Sequence, residues 1–332
     1  MRQRLSIEDY SKGILSGDRI ILSRTITLIE SKLKNDRLLA KKVLENILPA
    51  TGKSLRIGIT GVPGVGKSTF IETFGRHITA LNKKIAVLTI DPSSKKSGGS
   101  ILADKTRMEN LSNDPLAYIR PSASGLSLGG VARSTRETIL LCEAAGYEVI
   151  IIETVGVGQS ETLVKGMSDF FLLLMLAGAG DELQGIKKGI MEMADAVAIN
   201  KADGANKTAT EQAAVEYKNA LHLFPKPESG FPTQVITCSA LENTGINELW
   251  KLILEYHAAT LKNGYFEKNR KEQNLEWMHD HIRQTLEDQF YENVAMKKEI
   301  KYAEKSVSGG KELPVTAAEH LLHSFFNTKT GK

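Results

Sequence analysis

The chain of 332 residues has little of what would staple a fold or hold a soft metal: 2 cysteines, 7 histidines and 2 tryptophans. Cys142 and Cys238 each lie alone inside an apolar run. Disulfide scaffolds and thiolate metal sites need clusters at defined spacing, so both are expected to be inert buried thiols. The histidines make no ligand set either. His279 and His281 are two apart and diverge on a helix, while His320 and His323 share a face without further ligands nearby. Long hydrophobic runs are missing. The longest, Phe170 to Ala177, falls far short of the roughly 20 residues a membrane-spanning helix needs. Excess charge of one sign is missing too, because 43 basic and 39 acidic side chains give a net charge of +4 spread along the chain. Neither a nucleic-acid nor a membrane footprint is expected from that balance. Glu8 and Asp9 follow the early arginines, and no apolar leader precedes the first helical pattern, so the cytoplasm is the expected address.

What is present is the composition of a globular protein, with 41% hydrophobic and 25% charged residues. From Ser6 to Leu48, apolar residues recur at steps of three and four, the pattern of an amphipathic helical lead-in. After Pro49-Ala50-Thr51-Gly52, short apolar runs alternate with helical stretches. The strand candidates are Leu55 to Thr60, Ile85 to Ile90, Ala117 to Arg120, Val149 to Glu153, Phe170 to Leu176, Ala196 to Asn200 and Gln234 to Cys238. Most are continuous rather than alternating runs, as a sheet covered by helices on both faces requires. The fold expected is α/β, a three-layer sandwich with a mostly parallel sheet. Helical extensions flank it, giving an N-terminal segment 1–50, a central domain 51–262 and a C-terminal helical segment 263–332. In the last segment Leu275, Met278, Ile282, Leu286, Phe290 and Val294 form a stripe that one helix cannot bury alone. The break at Ser308-Gly309-Gly310 and Pro314 separates a final helix.

The stretch Gly61-Val62-Pro63-Gly64-Val65-Gly66-Lys67-Ser68-Thr69 contains the P-loop pattern between a strand and a helix, the context that motif demands. Its glycines let successive N–H groups turn inward at phosphate oxygens, and the helix that follows adds the positive end of its dipole. Lys67 supplies a point charge for the β- and γ-phosphates, and the Ser68 hydroxyl a magnesium ligand. A second element, Asn200-Lys201-Ala202-Asp203, stands at the end of a strand, where ligands of open α/β sheets sit. The Asp203 carboxylate suits the ring N–H and amino group of guanine. Adenine has neither donor there and would leave the carboxylate desolvated and unpaired. Lys201 can lay its stem over the ring, Asn200 can tie the loop together, and Ser239, Ala240 and Leu241 fit the loop whose N–H groups complete the pocket. The expected ligands are therefore GTP and GDP with magnesium. Glu153 in Ile152-Glu153-Thr154-Val155-Gly156 is an acid placed to approach that ion, usually through water. Val157 stands where many small GTPases carry a water-orienting glutamine, so slow intrinsic hydrolysis is expected. Asp91 and Asp104 are further candidate acids, Asp91 being otherwise a helix N-cap or turn residue.

Together with Asp91-Pro92-Ser93-Ser94, Arg120-Pro121-Ser122, Glu153 to Ser160 and Gly178 to Gly189, the P-loop sequence resembles the MeaB/ArgK/MMAA family of methylmalonyl-CoA mutase-associated GTPases, in the SIMIBI class of P-loop GTPases. The similarity runs from about residue 6 to the C-terminus. It implies that Asp91, Asp104 and Glu153 stand around magnesium with Ser68. It also implies that Asp181 to Gly189 is a loop responsive to the partner enzyme, with Gln184 and Lys188 as its polar contacts. Lys67, Glu153, Gln184 and Lys188 are then the expected catalytic set. The implied partner is an adenosylcobalamin-dependent methylmalonyl-CoA mutase or a related acyl-CoA mutase, served by a GTPase chaperone in cofactor loading, protection or reactivation. A homodimer through the C-terminal helices is implied as well. Two rival readings are a small-molecule kinase of the arginine/ornithine transport type, for which no second substrate pocket is marked, and a metal-delivery GTPase, for which the Cys and His cluster is lacking.

Overall fold

The structure, a computed structural model, describes residues 4–90, 108–121, 128–154, 160–178 and 188–330. Among these residues seven strands form one sheet: β1 (Leu55–Gly61), β2 (Ile85–Ile90), β3 (Ala117–Arg120), β4 (Val149–Thr154), β5 (Phe170–Leu176), β6 (Ala196–Asn200) and β7 (Gln234–Thr237). Their order is β3-β2-β4-β1-β5-β6-β7, and every pairing is parallel. Strands β2, β4 and β6 are buried along their whole length. That two-sided burial is why they read as unbroken apolar runs. The last strand stops at Thr237, one residue short of the expected end. Ser239 there leaves the sheet to pair with Thr244.

The expected lead-in resolves into three helices, α1 (Ile7–Leu15), α2 (Arg19–Glu30) and α3 (Lys34–Ile47). Polar caps cut the pattern. Ser6 Oγ accepts from Asp9 N at 3.0 Å, and Asp18 Oδ1 accepts from Ile20 N at 2.7 Å. Then come α4 (Lys67–Ala80), α5 (Glu109–Asn113), α6 (Leu128–Ala144), α7 (Ser160–Lys165), α8 (Lys188–Met193), α9 (Lys207–Leu221) and α10 (Ile246–Lys262).

Alternation along the strands sends side chains into buried clusters on both faces of the sheet. Leu172 and Leu174 face the cluster under α4 and α10, where Phe70 stacks on Phe74 at 5.6 Å and Trp250 meets Phe74 edge-on at 6.1 Å. Leu173 and Met175 face the other side with Tyr217 of α9. On that side Ile150 and Ile152 also pack with Tyr10, Leu22, Val43 and Leu141 from α1, α2, α3 and α6. Each such side chain contributes about 1.5–3 kcal/mol on burial, so the N-terminal helices are one wall of the sandwich.

At the N-terminal ends of the strands, buried charges close on one another. Glu143 accepts from Gly52 N at 2.7 Å, Ser54 Oγ at 2.6 Å and Arg56 Nε at 2.9 Å. Asp169 accepts from Arg56 N at 2.8 Å and from Arg270 Nε and Nη2, both at 2.7 Å. Arg270 also donates to the carbonyls of Gly52 and Ser54. Asp195 is held by Lys165 and Phe171 N and by the Tyr256 hydroxyl.

The chain divides into two compact units, one ending at Gln273 and the other spanning Asn274–Lys332. The division falls within α11 (Tyr265–Tyr291), whose Arg270 and Gln273 are bound into the first unit. The second unit adds α12 (Val294–Ser308) and α13 (Pro314–Thr330), held by Met296 and by Phe290 edge-on to Phe325 at 5.2 Å. Val294 does not continue the stripe on α11, as its spacing predicts. Asn293 caps a new helix there, its side chain accepting from Ala295 N and Met296 N. Leu275, Met278, Ile282 and Leu286 are about half exposed on α11. No helix among the described residues is long and apolar enough to cross a membrane.

Candidate functional site

The sheet's order reverses around β1, the strand that β4 and β5 flank, so a crevice opens at the C-terminal ends of these three strands. Gly61 ends β1 there. A Cβ on it would lie 2.5 Å from the Leu174 carbonyl oxygen, so only glycine lets β1 and β5 stay in register. The loop then closes on Gly66, whose φ of 86° is left-handed and strained for any residue with a side chain. α4 begins at once at Lys67, and no side chain caps it. Its first N–H groups are left for the loop side, the arrangement that receives phosphate oxygens.

Lys67 reaches back over this loop, its Nζ donating to Gly61 O at 2.8 Å. Burial lowers its pKa below the ordinary lysine value, and the carboxylates of Glu153 and Glu161 only partly offset this. A desolvated ammonium beside uncapped helix N–H groups attracts a polyanion more strongly than it would in water. Ser68 follows in the first turn of α4 and is half-buried, while Thr69 is exposed. Glu153 is buried one residue before the end of β4, in register with Ile59 of β1 and Thr89 of β2. Beside it Thr154 Oγ1 lies 2.9 Å from Thr60 Oγ1, tying the tips of β4 and β1 together.

The donor set fits magnesium: a hydroxyl and a carboxylate are hard oxygen ligands, and among the described residues no thiol or imidazole accompanies them. Among the described residues no three His, Cys, Asp or Glu side chains stand close enough to hold a metal ion. Asp91, Asp104, Gln184 and the stretch 155–159 lie outside the described residues, as does the side chain of Lys188.

Asn200, at the end of β6, joins the P-loop to the loop after β7. Its Nδ2 donates to Val65 O of the P-loop at 2.8 Å, and its Oδ1 accepts from Ala240 N at 3.2 Å and from the Cys238 thiol at 3.8 Å. Burial pushes that thiol up to about 12, so Cys238 is a packing group here and no nucleophile. Lys201 adopts a left-handed φ of 62°, which turns the chain and puts Asp203 opposite the loop after β7. The Ser239 hydroxyl donates to Asp203 Oδ2 and accepts from Glu242 N at 3.0 Å. Asp203 is therefore held in place while still half exposed. Ala240 is buried, and Leu241 stands at the rim, 80% exposed. One contact has no signal in the sequence: Thr73 Oγ1 on α4 donates to Ala240 O at 2.8 Å, across 167 positions. Thus Gly61 to Thr69, Asn200, Lys201, Asp203, Ser239, Ala240 and Leu241 are gathered at the C-terminal edge of the sheet, where Glu153 also stands near the end of its strand beside β1.

Comparison with known proteins agrees with this geometry. A family model described as methylmalonyl Co-A mutase-associated GTPase MeaB matches residues 22–295. The Escherichia coli protein named GTPase ArgK is 43% identical, over 88% of each chain. The Mus musculus protein named methylmalonic aciduria type A homolog, mitochondrial, is also 43% identical, over 98% of this chain and 80% of its own. Among solved structures, one described as an LAO/AO transport system kinase matches with a TM-score of 0.76 at 35% identity, covering 97% of this chain and 98% of that one.

Proposed function

We infer the role of this protein from its family: the chain belongs to the MeaB family of methylmalonyl-CoA mutase-associated GTPases and is a GTP hydrolase. Its work is to couple that hydrolysis to the care of an adenosylcobalamin-dependent methylmalonyl-CoA mutase or a related acyl-CoA mutase, in cofactor loading, protection or reactivation. What supports the client is the family match and the name of the mouse relative. What supports the mechanism is one observation: the Asn200 side chain bonds both the P-loop and the base loop. Guanine recognition and phosphate binding thereby share a single rigid strut.

In this reading Lys67 and the N–H groups of α4 hold the β- and γ-phosphates, and Asp203, Lys201 and the Ser239–Leu241 loop hold guanine. Ser68 and Glu153, with Asp91 and Asp104, hold magnesium, which when bound neutralises charge on the phosphates. Val157 gives the attacking water no side-chain amide to orient it, so turnover alone is slow. Gln184 and Lys188 complete the site when the client binds. The half-exposed stripe on α11 is the homodimer seam.

Titrating the purified protein with an adenosylcobalamin-dependent methylmalonyl-CoA mutase tests this, in GDP or in a non-hydrolysable GTP analogue. A nucleotide-dependent complex and a faster release of phosphate are expected. A basal GTPase rate with no complex in either nucleotide would remove the mutase as client, and faster phosphorylation of arginine than of water would replace the chaperone with a kinase.

A further inference from the structure

Away from the P-loop, a cavity of about 490 Å³ opens between α2 and the outer strand β3. That is the size of a small-molecule site, for which the usual range is about 300–1,000 Å³. Three arginines line it, Arg19 and Arg24 from α2 and Arg120 from the end of β3, and among the described residues that line it none is acidic. Arg120 pairs with Glu30 of α2. Even so paired, Arg120 keeps its Nε buried without a hydrogen-bond partner among the described residues.

Hydroxyls stand among the arginines, from Ser23 and Thr27 on α2 and from Ser112 on α5. Ile20 and the ring of Tyr118 supply an apolar side. The walls are already fixed. Tyr118 is bonded to Ser23 at 3.0 Å, and Arg24 lies 6.0 Å above the ring centroid of Tyr10. The helix carrying Ser112 is anchored through Leu111 N, which donates to the Glu72 carboxylate on α4 at 3.2 Å. A ligand would therefore find its donors in place and spend little on ordering them.

We propose that this cavity is a second anion site, which takes a small phosphorylated molecule with a compact apolar body. Guanidinium groups bind phosphate oxygens through paired N–H donors, and short hydroxyls complete the shell of a group with three terminal oxygens. The apolar body lies against Ile20 and Tyr118. This site is separate from the nucleotide crevice and does not depend on the client assigned above.

The test uses the full chain with GDP and magnesium filling the P-loop, and phenyl phosphate as probe, with inorganic phosphate and phenol as its two halves. Calorimetry is expected to show one saturable site for phenyl phosphate, weaker binding of inorganic phosphate, and none of phenol. Arg19→Gln and Arg24→Gln should each weaken phenyl phosphate at least about tenfold. Ile20→Glu should do the same from the rim, where Ile20 is 72% exposed and the fold is safe. Lys67→Ala should leave it unchanged. No binding at about 10 mM probe, where even a Kd near 1 mM would saturate, would overturn the proposal. So would binding indifferent to all three cavity variants, or binding lost in Lys67→Ala. Should the arginine variants fail to fold, protection of Arg19 and Arg24 from phenylglyoxal by phenyl phosphate, read by peptide mass, decides the matter on the native chain. Equal modification with and without the probe counts against the site.

Discussion

At the N-terminal ends of the strands the side chains of Glu143 and Asp169 are 0% and 1% exposed, and each is matched by arginine and by backbone or hydroxyl donors. At the C-terminal ends of the same strands Lys67 is half-buried over carbonyl oxygens, with Glu153 and Glu161 only partly offsetting its desolvation. Both ends hold buried charge, but one is neutralised within the protein and the other is arranged for a ligand. The first kind holds a fold together because breaking it strands a partner in low dielectric. The second kind costs stability until the ligand arrives, the usual relation between a binding site and its scaffold.

Removing a charge should therefore damage stability at one end and binding at the other. The largest effect is expected from Arg270→Met, which keeps an apolar chain but removes the guanidinium that lies over Phe266 and leaves Asp169 without its bidentate partner. Urea unfolding should show a loss of about 3–5 kcal/mol. The GTP affinity of the protein that remains folded should be unchanged. Next comes Lys67→Ala, expected to weaken GTP by about 100-fold or more, roughly 3 kcal/mol. Its melting temperature without nucleotide should stay level or rise, because a desolvated ammonium is removed. If Lys67→Ala unfolds the protein, or Arg270→Met abolishes binding in folded molecules, the contrast between the two ends is wrong.

This contrast was only half legible in the sequence. The P-loop and the Asn200 to Asp203 tetrad could be read because their residues are contiguous and their chemistry depends on spacing. The strands could be read because a doubly covered sheet leaves unbroken apolar runs, and Leu55 to Thr60 differs from the observed β1 by one residue. The floor could not be read: Arg56 and Glu143 are 87 positions apart, and Asp169 and Arg270 are 101 apart. Singly, each looks like a solvated surface charge. For the same reason the packing of the N-terminal helices could not be read, since their partners Ile150 and Ile152 lie more than about 100 residues on. Val294 misled because a helical period survives a capped break when two helices follow one another directly.

Asn200→Ala is the variant that blurs the two ends, and its effect should be intermediate. It sits at the ligand end but is wired like the floor, 2% exposed and bonded to Val65 O and Ala240 N. Alanine leaves that donor and that acceptor buried and unsatisfied, at about 1–3 kcal/mol each unless water enters. Stability and GTP affinity should fall together, by about 2 kcal/mol apiece. A loss confined to affinity would show that the strut serves the ligand alone.

The smallest effect, and the sharpest probe of the ligand end, is the pH dependence of nucleotide binding. Lys67 must be charged to hold phosphate, and burial has lowered its pKa from the ordinary 10.5. Bound phosphates favour the ammonium and raise that pKa again, so binding takes up a proton wherever the pH exceeds the value in the free protein. GDP affinity is then flat below the lowered pKa and falls above it, by at most about tenfold per pH unit, until the pKa of the complex is reached. Stability without nucleotide runs the other way. The desolvation cost of the charged lysine is fully present below the folded pKa and fades as the pH rises toward the unfolded value, so the free protein gains stability across the window in which it loses GDP. Calorimetry from about pH 8 to pH 10 should show the fall beginning earlier than an ordinary lysine allows. In Lys67→Arg, whose guanidinium does not titrate in this range, the affinity should be lower at the start but level with pH. A sloping profile that persists in Lys67→Arg would place the titrating group elsewhere, and would end the claim that buried charge at this end is held in tension for the ligand.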